Sequence, residues 1–268
     1  MIVTDKEIFN PSVPDLPSKD QVIKLCRQKG LNYNCLTYTT ANGKIFFIKY
    51  NNAKMAEAHA HLFFYSCINA NPQSTIRIPE LYRAWLPDHS SSAYLVMEYI
   101  DIHHFASDEE RAKALAELIA VKPPPGVFGS FGPPGGYIRH MFFKDREAAK
   151  IYSSVQELQD SINRLLQNLS SGTGQDCGTV DFSNEPLLCY YGDIYRENFP
   201  VDRSGNLWVV DFDTTGVLPA SFASWPLDTK YKHPLPIPIR RTIPLSTSKN
   251  LKPMFRAYRF NQMSIGEV

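Results

Sequence analysis

The sequence predicts an α+β chain of two lobes, a strand-rich first third and a helix-rich remainder joined near residues 98–101. Three observations predict it. Asn42-Gly43 separates two runs rich in β-branched and aromatic residues, 31–40 and 44–50, as in a tight hairpin. Two later stretches, 107–121 and 147–169, carry apolar residues at helical spacing. Two short apolar runs, 187–190 and 207–210, have the turn-forming Asp202-Arg203-Ser204-Gly205-Asn206 between them, and place Asp193 and Asp211 just past strand ends, where a scaffold presents side chains for chemistry.

The elements follow in order. Ser18-Lys19-Asp20-Gln21 has the form of a capping box before Val22, Ile23, Leu25 and Cys26, with Gly30 as the stop, so a helix is expected over about 19–28. After the hairpin, in whose second strand Lys49 lies, residues 53–69 are dense in Ala, Met, Glu and Leu without Gly or Pro, predicting a helix that carries Glu57. IRIPELYRAWL and SSAYLVMEYID read as two strands around a polar turn at 87–92. Residues 101–106 read as a connector, and Ser107-Asp108-Glu109-Glu110 opens a second capping box. The Pro- and Gly-dense segment 122–140 excludes regular structure but carries enough aromatics to predict an ordered loop or lid forming part of a substrate-side wall. Ile151, Val155, Leu158, Ile162, Leu165 and Leu166 make one stripe of the helix expected over 147–169. Beyond Asp213 the chain is Pro-rich to Pro244, and a last helix is expected within 245–260.

Composition narrows the function. With 268 residues, 43% of them hydrophobic, the chain can fill the core of a large domain or of two lobes. Lys plus Arg number 28 against 27 Asp plus Glu, and a net charge of +1 gives no reason to expect nucleic acid or an acidic membrane as partner. No signal-peptide pattern opens the sequence and no run of about 18 apolar residues occurs, so a soluble, cytoplasmic protein is expected. Five scattered cysteines without a CxxC pair predict buried thiols rather than a disulfide framework or zinc knuckle. His59 with His61, and His103 with His104, lack the spacing and acidic partners of a metal site. The basic residues within 230–241 read as a solvated loop.

Singly, a strand lysine, a helix glutamate and an Asp-x4-Asn turn are commonplace. Their order is not: Lys49, then Glu57, then a strand ending Met97-Glu98-Tyr99, then Asp193 with Asn198 five residues on, then Asp211-Phe212-Asp213. This is the order of parts used in kinase-type phosphoryl transfer. Over roughly residues 18–225 the chain resembles the aminoglycoside phosphotransferase/choline kinase-like family, in particular its short fungal-type members. Tyr191-Gly192-Asp193 with Asn198 stands where the family has His-Gly-Asp-x4-Asn, and Val210-Asp211-Phe212 where it has Ile-Asp-Phe or Ile-Asp-Trp.

The resemblance implies a two-lobed protein-kinase-like fold. A small antiparallel-sheet N-lobe over 1–100 would form the nucleotide side, and a mainly helical C-lobe over 101–268 would hold the catalytic loop, metal site and substrate wall. It implies ATP and Mg2+ as cofactors and a small-molecule hydroxyl as acceptor. Asp193 would orient or deprotonate that hydroxyl, Asn198 and Asp211 would hold magnesium, and Lys49, paired with Glu57, would contact the nucleotide phosphates. Glu98, Tyr99 and Ile100 would form the hinge that receives adenine. The chain departs from the family in having one glycine, Gly30, ahead of the first strand instead of a Gly-rich loop. A rival reading follows from that departure: a weak or inactive kinase-like protein that binds nucleotide or a partner. A protein kinase is disfavoured by the lack of His-Arg-Asp and of Ala-Pro-Glu after Asp211.

Overall fold

A computed structural model of the chain describes residues 1–132, 136–228, 234–245 and 247–263. Its elements run β1 (Ile2–Val3), β2 (Glu7–Phe9), α1 (Lys19–Lys29), β3 (Cys35–Thr39), β4 (Ile45–Lys49), α2 (Met55–Ile68), β5 (Ile76–Arg77), β6 (Leu81–Trp85), β7 (Tyr94–Glu98) and β8 (Ile102–Phe105). They continue with α3 (Asp108–Ala120), β9 (Gly129–Ser130), α4 (Val155–Thr173), β10 (Leu187–Tyr191), β11 (Pro200–Asp202), β12 (Leu207–Trp208), β13 (Thr215–Pro219), α5 (Ala220–Asp228), α6 (Ile237–Arg240) and α7 (Leu251–Met263). The class is α+β. Among the described residues no helix is long and apolar enough to cross a membrane.

The described chain divides into two units, residues 1–105 with 200–213, and residues 106–199 with 214–268. In the first, six strands pair in the order β1-β2-β6-β7-β4-β3, with every pair antiparallel, and four more pair as β5-β12-β11-β8. Alternation along β4 sends Phe46 and Ile48 to one face, where they pack with Val22 and Cys26 of α1 and with Tyr82 and Trp85. Phe47 packs on the other face, against the cluster that holds Met55 and Ala58 of α2, and Lys49 shares its side of the strand. Ser18 accepts from the Gln21 amide and Gly30 ends α1 at φ 96°, as the local signals require.

The second unit wraps helices around the three-stranded sheet β10-β13-β9. The buried stripe of α4, Leu158, Ile162, Leu165 and Leu166, packs with Phe142, Phe143, Phe222, Trp225 and Met254. Ser107 and Glu110 complete the capping box of α3, each bonding the other's backbone amide.

Several expectations are corrected. The division expected after residue 100 falls instead after Phe105, and the first unit takes back 200–213, because residues 102–105 form β8 and pair with β11 rather than acting as a connector. The 202–206 turn joins β11 to β12, while β10 pairs with β13. The helix expected from 147 begins at Val155, capped by Ser154, and leaves Ile151 exposed outside it. The Pro-rich stretch after Asp213 holds β13 and α5. Within 122–140, Gly129–Ser130 pairs with β13, and Phe131 and Ile138 are buried; residues 133–135 lie outside the described residues, as do 230–233 of the expected solvated loop.

Candidate active site

Lys49 closes β4 between Cys35 of β3 and Leu95 of β7. Its ammonium donates to Glu57 Oε1 at 2.7 Å and to Asp211 Oδ1 at 2.9 Å, with the lysine side chain only 10% exposed. Glu57 lies in the first turn of α2, where a carboxylate meets the positive end of the helix dipole. Its second oxygen is buried without a hydrogen-bond partner. Burial pushes the Glu57 carboxyl up to about 7 against the pull of Lys49, with Asp211 and Asp213 adding to the rise. Burial opposes the charge on Lys49, but Glu57 and Asp211 outweigh it and hold the lysine above its ordinary value.

Asp211 adopts a left-handed conformation, φ 63°, and accepts from the Asp213 amide at 3.4 Å. The next residue, Phe212, is fully buried and rests on two rings of α2, 5.2 Å from His61 and 5.3 Å from Phe64. Helix α2 therefore positions two of the three charged partners, Glu57 directly and Asp211 through Phe212. His61 is fixed in turn by Pro79, whose carbonyl oxygen lies 2.5 Å from its Nε2, and burial drives its pKa down to about 4.

Asp193 and Asn198 belong to the second unit and share one loop. Asn198 Nδ2 donates to the Asp193 carbonyl at 2.9 Å, so the four-residue spacing closes the loop on itself. The Gly192 amide donates to the Thr214 carbonyl at 2.8 Å, and a Cβ at Gly192 would stand 3.0 Å from that same oxygen. Arg111 of α3, buried to 1% exposure, donates to the Ile194 carbonyl at 2.8 Å and to Asp108 at 2.7 Å. Arg196 reaches the Ala106 carbonyl at 3.2 Å. The Asp193 side chain is 10% exposed, and Arg146 Nη1 lies 3.5 Å from its Oδ2.

Of the residues expected at the hinge, Glu98 is the last of β7, and Tyr99 and Ile100 follow it. Glu98 spends both backbone and side chain on Glu80: its amide donates to the Glu80 carbonyl at 2.9 Å and its carboxylate accepts from the Glu80 amide at 3.0 Å. Tyr99 is 37% exposed.

The sequence assigned no role at the site to four residues: Arg111, Arg146, His61 and Phe212. Their roles depend on partners far away in sequence: His61 on Pro79, 18 positions on, Arg146 on Asp193 (193 − 146 = 47), Arg111 on Ile194, 83 positions on, and Phe212 on His61 (212 − 61 = 151). Phe212 beside Asp211 was the one local signal. Asp145 and Arg146 are both left-handed, φ 54° and 63°. Two such non-glycine residues cost about 1 kcal/mol or more each, whereas an ion pair with one partner 43% exposed returns under about 1 kcal/mol.

Magnesium prefers hard-oxygen donors; Asp211 of the first unit carries a carboxylate and Asn198 of the second an amide oxygen. Among the described residues no group of three or more His, Cys, Asp and Glu could hold a metal ion unaided. Magnesium with few protein ligands completes its shell from water and phosphate oxygens, so each of these oxygens suits a nucleotide-borne ion by its chemistry.

No protein-family model matches the chain, and no curated protein matches it. It is similar to solved structures. An aminoglycoside-3'-phosphotransferase of type VIII superposes at TM-score 0.44 and 14% identity, covering 90% of this chain and 98% of that one. The spectinomycin phosphotransferase APH(9)-Ia, solved with ADP and spectinomycin, gives 0.46 and 12%, covering 86% and 77%. The choline kinase LicA from Streptococcus pneumoniae gives 0.41 and 13%, covering 88% and 83%.

Proposed function

We propose that this chain is a small-molecule phosphotransferase, moving the γ-phosphoryl group of ATP to a hydroxyl of its acceptor. The observation that carries the reading is Lys49 bonded at once to Glu57 and Asp211, a strand lysine held by a helix carboxylate beside a metal-type aspartate. Phosphoryl transfer needs little covalent work from a protein; it needs an aligned hydroxyl and neutralised charge. Each unit carries part of that work. In the first, Lys49 is held charged to meet the nucleotide phosphates, Asp211 offers a hard oxygen, and Glu98, Tyr99 and Ile100 form the hinge for the base. In the second, Asp193 orients the acceptor hydroxyl and Asn198 offers the other metal ligand. When bound, magnesium supplies charge neutralisation across the phosphates.

In the transfer, the acceptor oxygen attacks the γ-phosphorus, the bond from that phosphorus to the bridging oxygen breaks, and the electron pair leaves with ADP. The hydroxyl proton passes to the Asp193 carboxylate.

Purified protein is expected to bind ATP only with magnesium in calorimetry and to release ADP with a hydroxylated acceptor. Asp193→Asn should leave magnesium-nucleotide binding within about threefold while cutting turnover by at least about 10²-fold. Asp211→Asn should weaken the metal-nucleotide complex itself, since one anionic ligand is lost. No magnesium-dependent nucleotide binding at millimolar ATP would end the reading.

A weak or inactive nucleotide-binding protein is the second reading, favoured by one feature. β3 is the outermost strand of its sheet, and residues 30–34 ahead of it hold a single glycine where kinases use a Gly-rich loop over the phosphates. Nucleotide binding without turnover on any acceptor would favour it.

A further inference from the structure

The segment 138–148 closes on itself as a platform. Ala148 donates to the Ile138 carbonyl at 2.8 Å, His140 to the Arg146 carbonyl at 3.0 Å, and Glu147 to the Lys144 carbonyl at 3.1 Å. Arg139 and Glu147 form an ion pair across its base. Beneath it, Phe142 and Phe143 are 1% exposed and pack edge-on or stacked against Phe222, Trp225 and Tyr152. His140 is fully buried; its Nδ1 accepts from the Phe142 amide at 3.0 Å, so its Nε2 carries the proton and donates to the Phe222 carbonyl at 3.0 Å. Burial keeps this ring neutral, its pKa driven down to about 3.

On that platform the backbone turns left-handed twice in succession and delivers the Arg146 guanidinium to within 3.5 Å of the Asp193 carboxylate. The strain exceeds what a partly exposed ion pair alone returns, and the hydrogen bonds that close 138–148 hold it in place. Arg146 is 43% exposed where Asp193 is 10% exposed, so the guanidinium keeps donors for a further anion while one edge faces the carboxylate.

We propose that Arg146 is a specificity-determining residue, binding a carboxylate or phosphate on the acceptor beside the hydroxyl that Asp193 orients. The inference rests on the phosphotransferase reading and deepens it: the acceptor is a hydroxylated acid or a phosphorylated polyol. A polycationic amino sugar would meet like charge at this position.

The test is titration of the wild-type protein, held with magnesium and AMP-PNP, with gluconate, glucose 6-phosphate, glucose and kanamycin at millimolar concentration. It is read by calorimetry and by the side-chain Nε–H resonance of Arg146 in arginine-labelled protein. At least one of the two anions should bind about tenfold more tightly than glucose and shift that resonance. Gluconate and glucose 6-phosphate separate a carboxylate from a phosphate preference. Arg146→Gln should remove the preference for the anion, Arg146→Lys should restore part of it, and Lys150→Gln, at an exposed lysine paired with Glu157, should leave it intact. Where turnover accompanies binding, the Arg146→Gln loss should fall on KM for the anionic acceptor rather than on kcat. If the magnesium nucleotide binds but neither anion is preferred over glucose, or kanamycin binds best, the inference is overturned and the phosphotransferase reading stands. Failure of the magnesium nucleotide itself to bind overturns that reading, and the inference with it.

Discussion

Glu57 ties the candidate chemistry to a stability measurement that needs no substrate. Its carboxyl is raised by burial from 4.5 to about 7 in the folded chain, so the folded chain holds this proton more tightly than the unfolded one. The stabilisation is therefore complete below pH 4.5 and is lost as pH rises through about 7, a change of about 3 kcal/mol. His61 and His140 act in the opposite sense. Their folded values are lowered to about 4 and about 3, so their contribution is present above 6.5 and is lost as pH falls below it. A single pH profile mixes these effects, but the difference between wild type and Glu57→Gln cancels the histidines. That difference, from urea unfolding midpoints at pH 4.5, 6 and 8, should move by about 3 kcal/mol in favour of wild type toward the acid end. Parallel profiles would show that Glu57 is ionised in the folded chain throughout.

Elements whose signals are local were readable in the sequence, and those made by distant pairing were not. Ser18 and Ser107 announce α1 and α3 because a cap bonds within three residues, and Asn42-Gly43 announces the β3–β4 hairpin for the same reason. Lys49 ends β4 and Glu57 lies in the first turn of α2, only eight residues on; their pairing was expected from the resemblance, since so tight a connection does not itself announce it. Arg146 had no such signal, since its position depends on a loop anchored by Phe222 and Trp225. β13 was hidden because Thr-Gly-Val-Leu-Pro opens the Pro-rich stretch, where no strand was expected, yet all five residues are buried between β10 and β9. Its Gly216 is required by close approach: a Cβ there would press on the Gly129 carbonyl and stand 2.8 Å from the Tyr190 hydroxyl, which itself donates to Arg139 at 2.9 Å. Gly216→Ala should destabilise by about 2 kcal/mol through overpacking. Gly172→Ala, in α4 with open space around it, should instead stabilise by about 0.5–1 kcal/mol. Equal midpoints for the two variants in urea would refute the packing account.

At the scale of the whole chain, the first unit is discontinuous, and its second piece carries both Asp211 and the strand that pairs with β8. A fragment ending at Phe105 would lose the ion pair to Lys49, the Phe212 ring beneath α2, and the partner of an exposed strand edge. It is expected to unfold without a cooperative transition. The register suggests the remedy: Phe105 stands opposite Pro200 in an antiparallel pair, so the end of β8 lies beside the start of β11. A turn of a few residues, such as Asn-Gly flanked by serines, can replace everything between them without moving either strand. The chain 1–105, turn, 200–213 should therefore unfold cooperatively in urea. In it, Asp211→Asn should lower the midpoint, because Lys49 loses one of its two carboxylates in a mostly buried setting. If the rejoined chain melts no more cooperatively than the 1–105 fragment, the first unit does not stand on its own contacts, and its stability comes from the rest of the molecule.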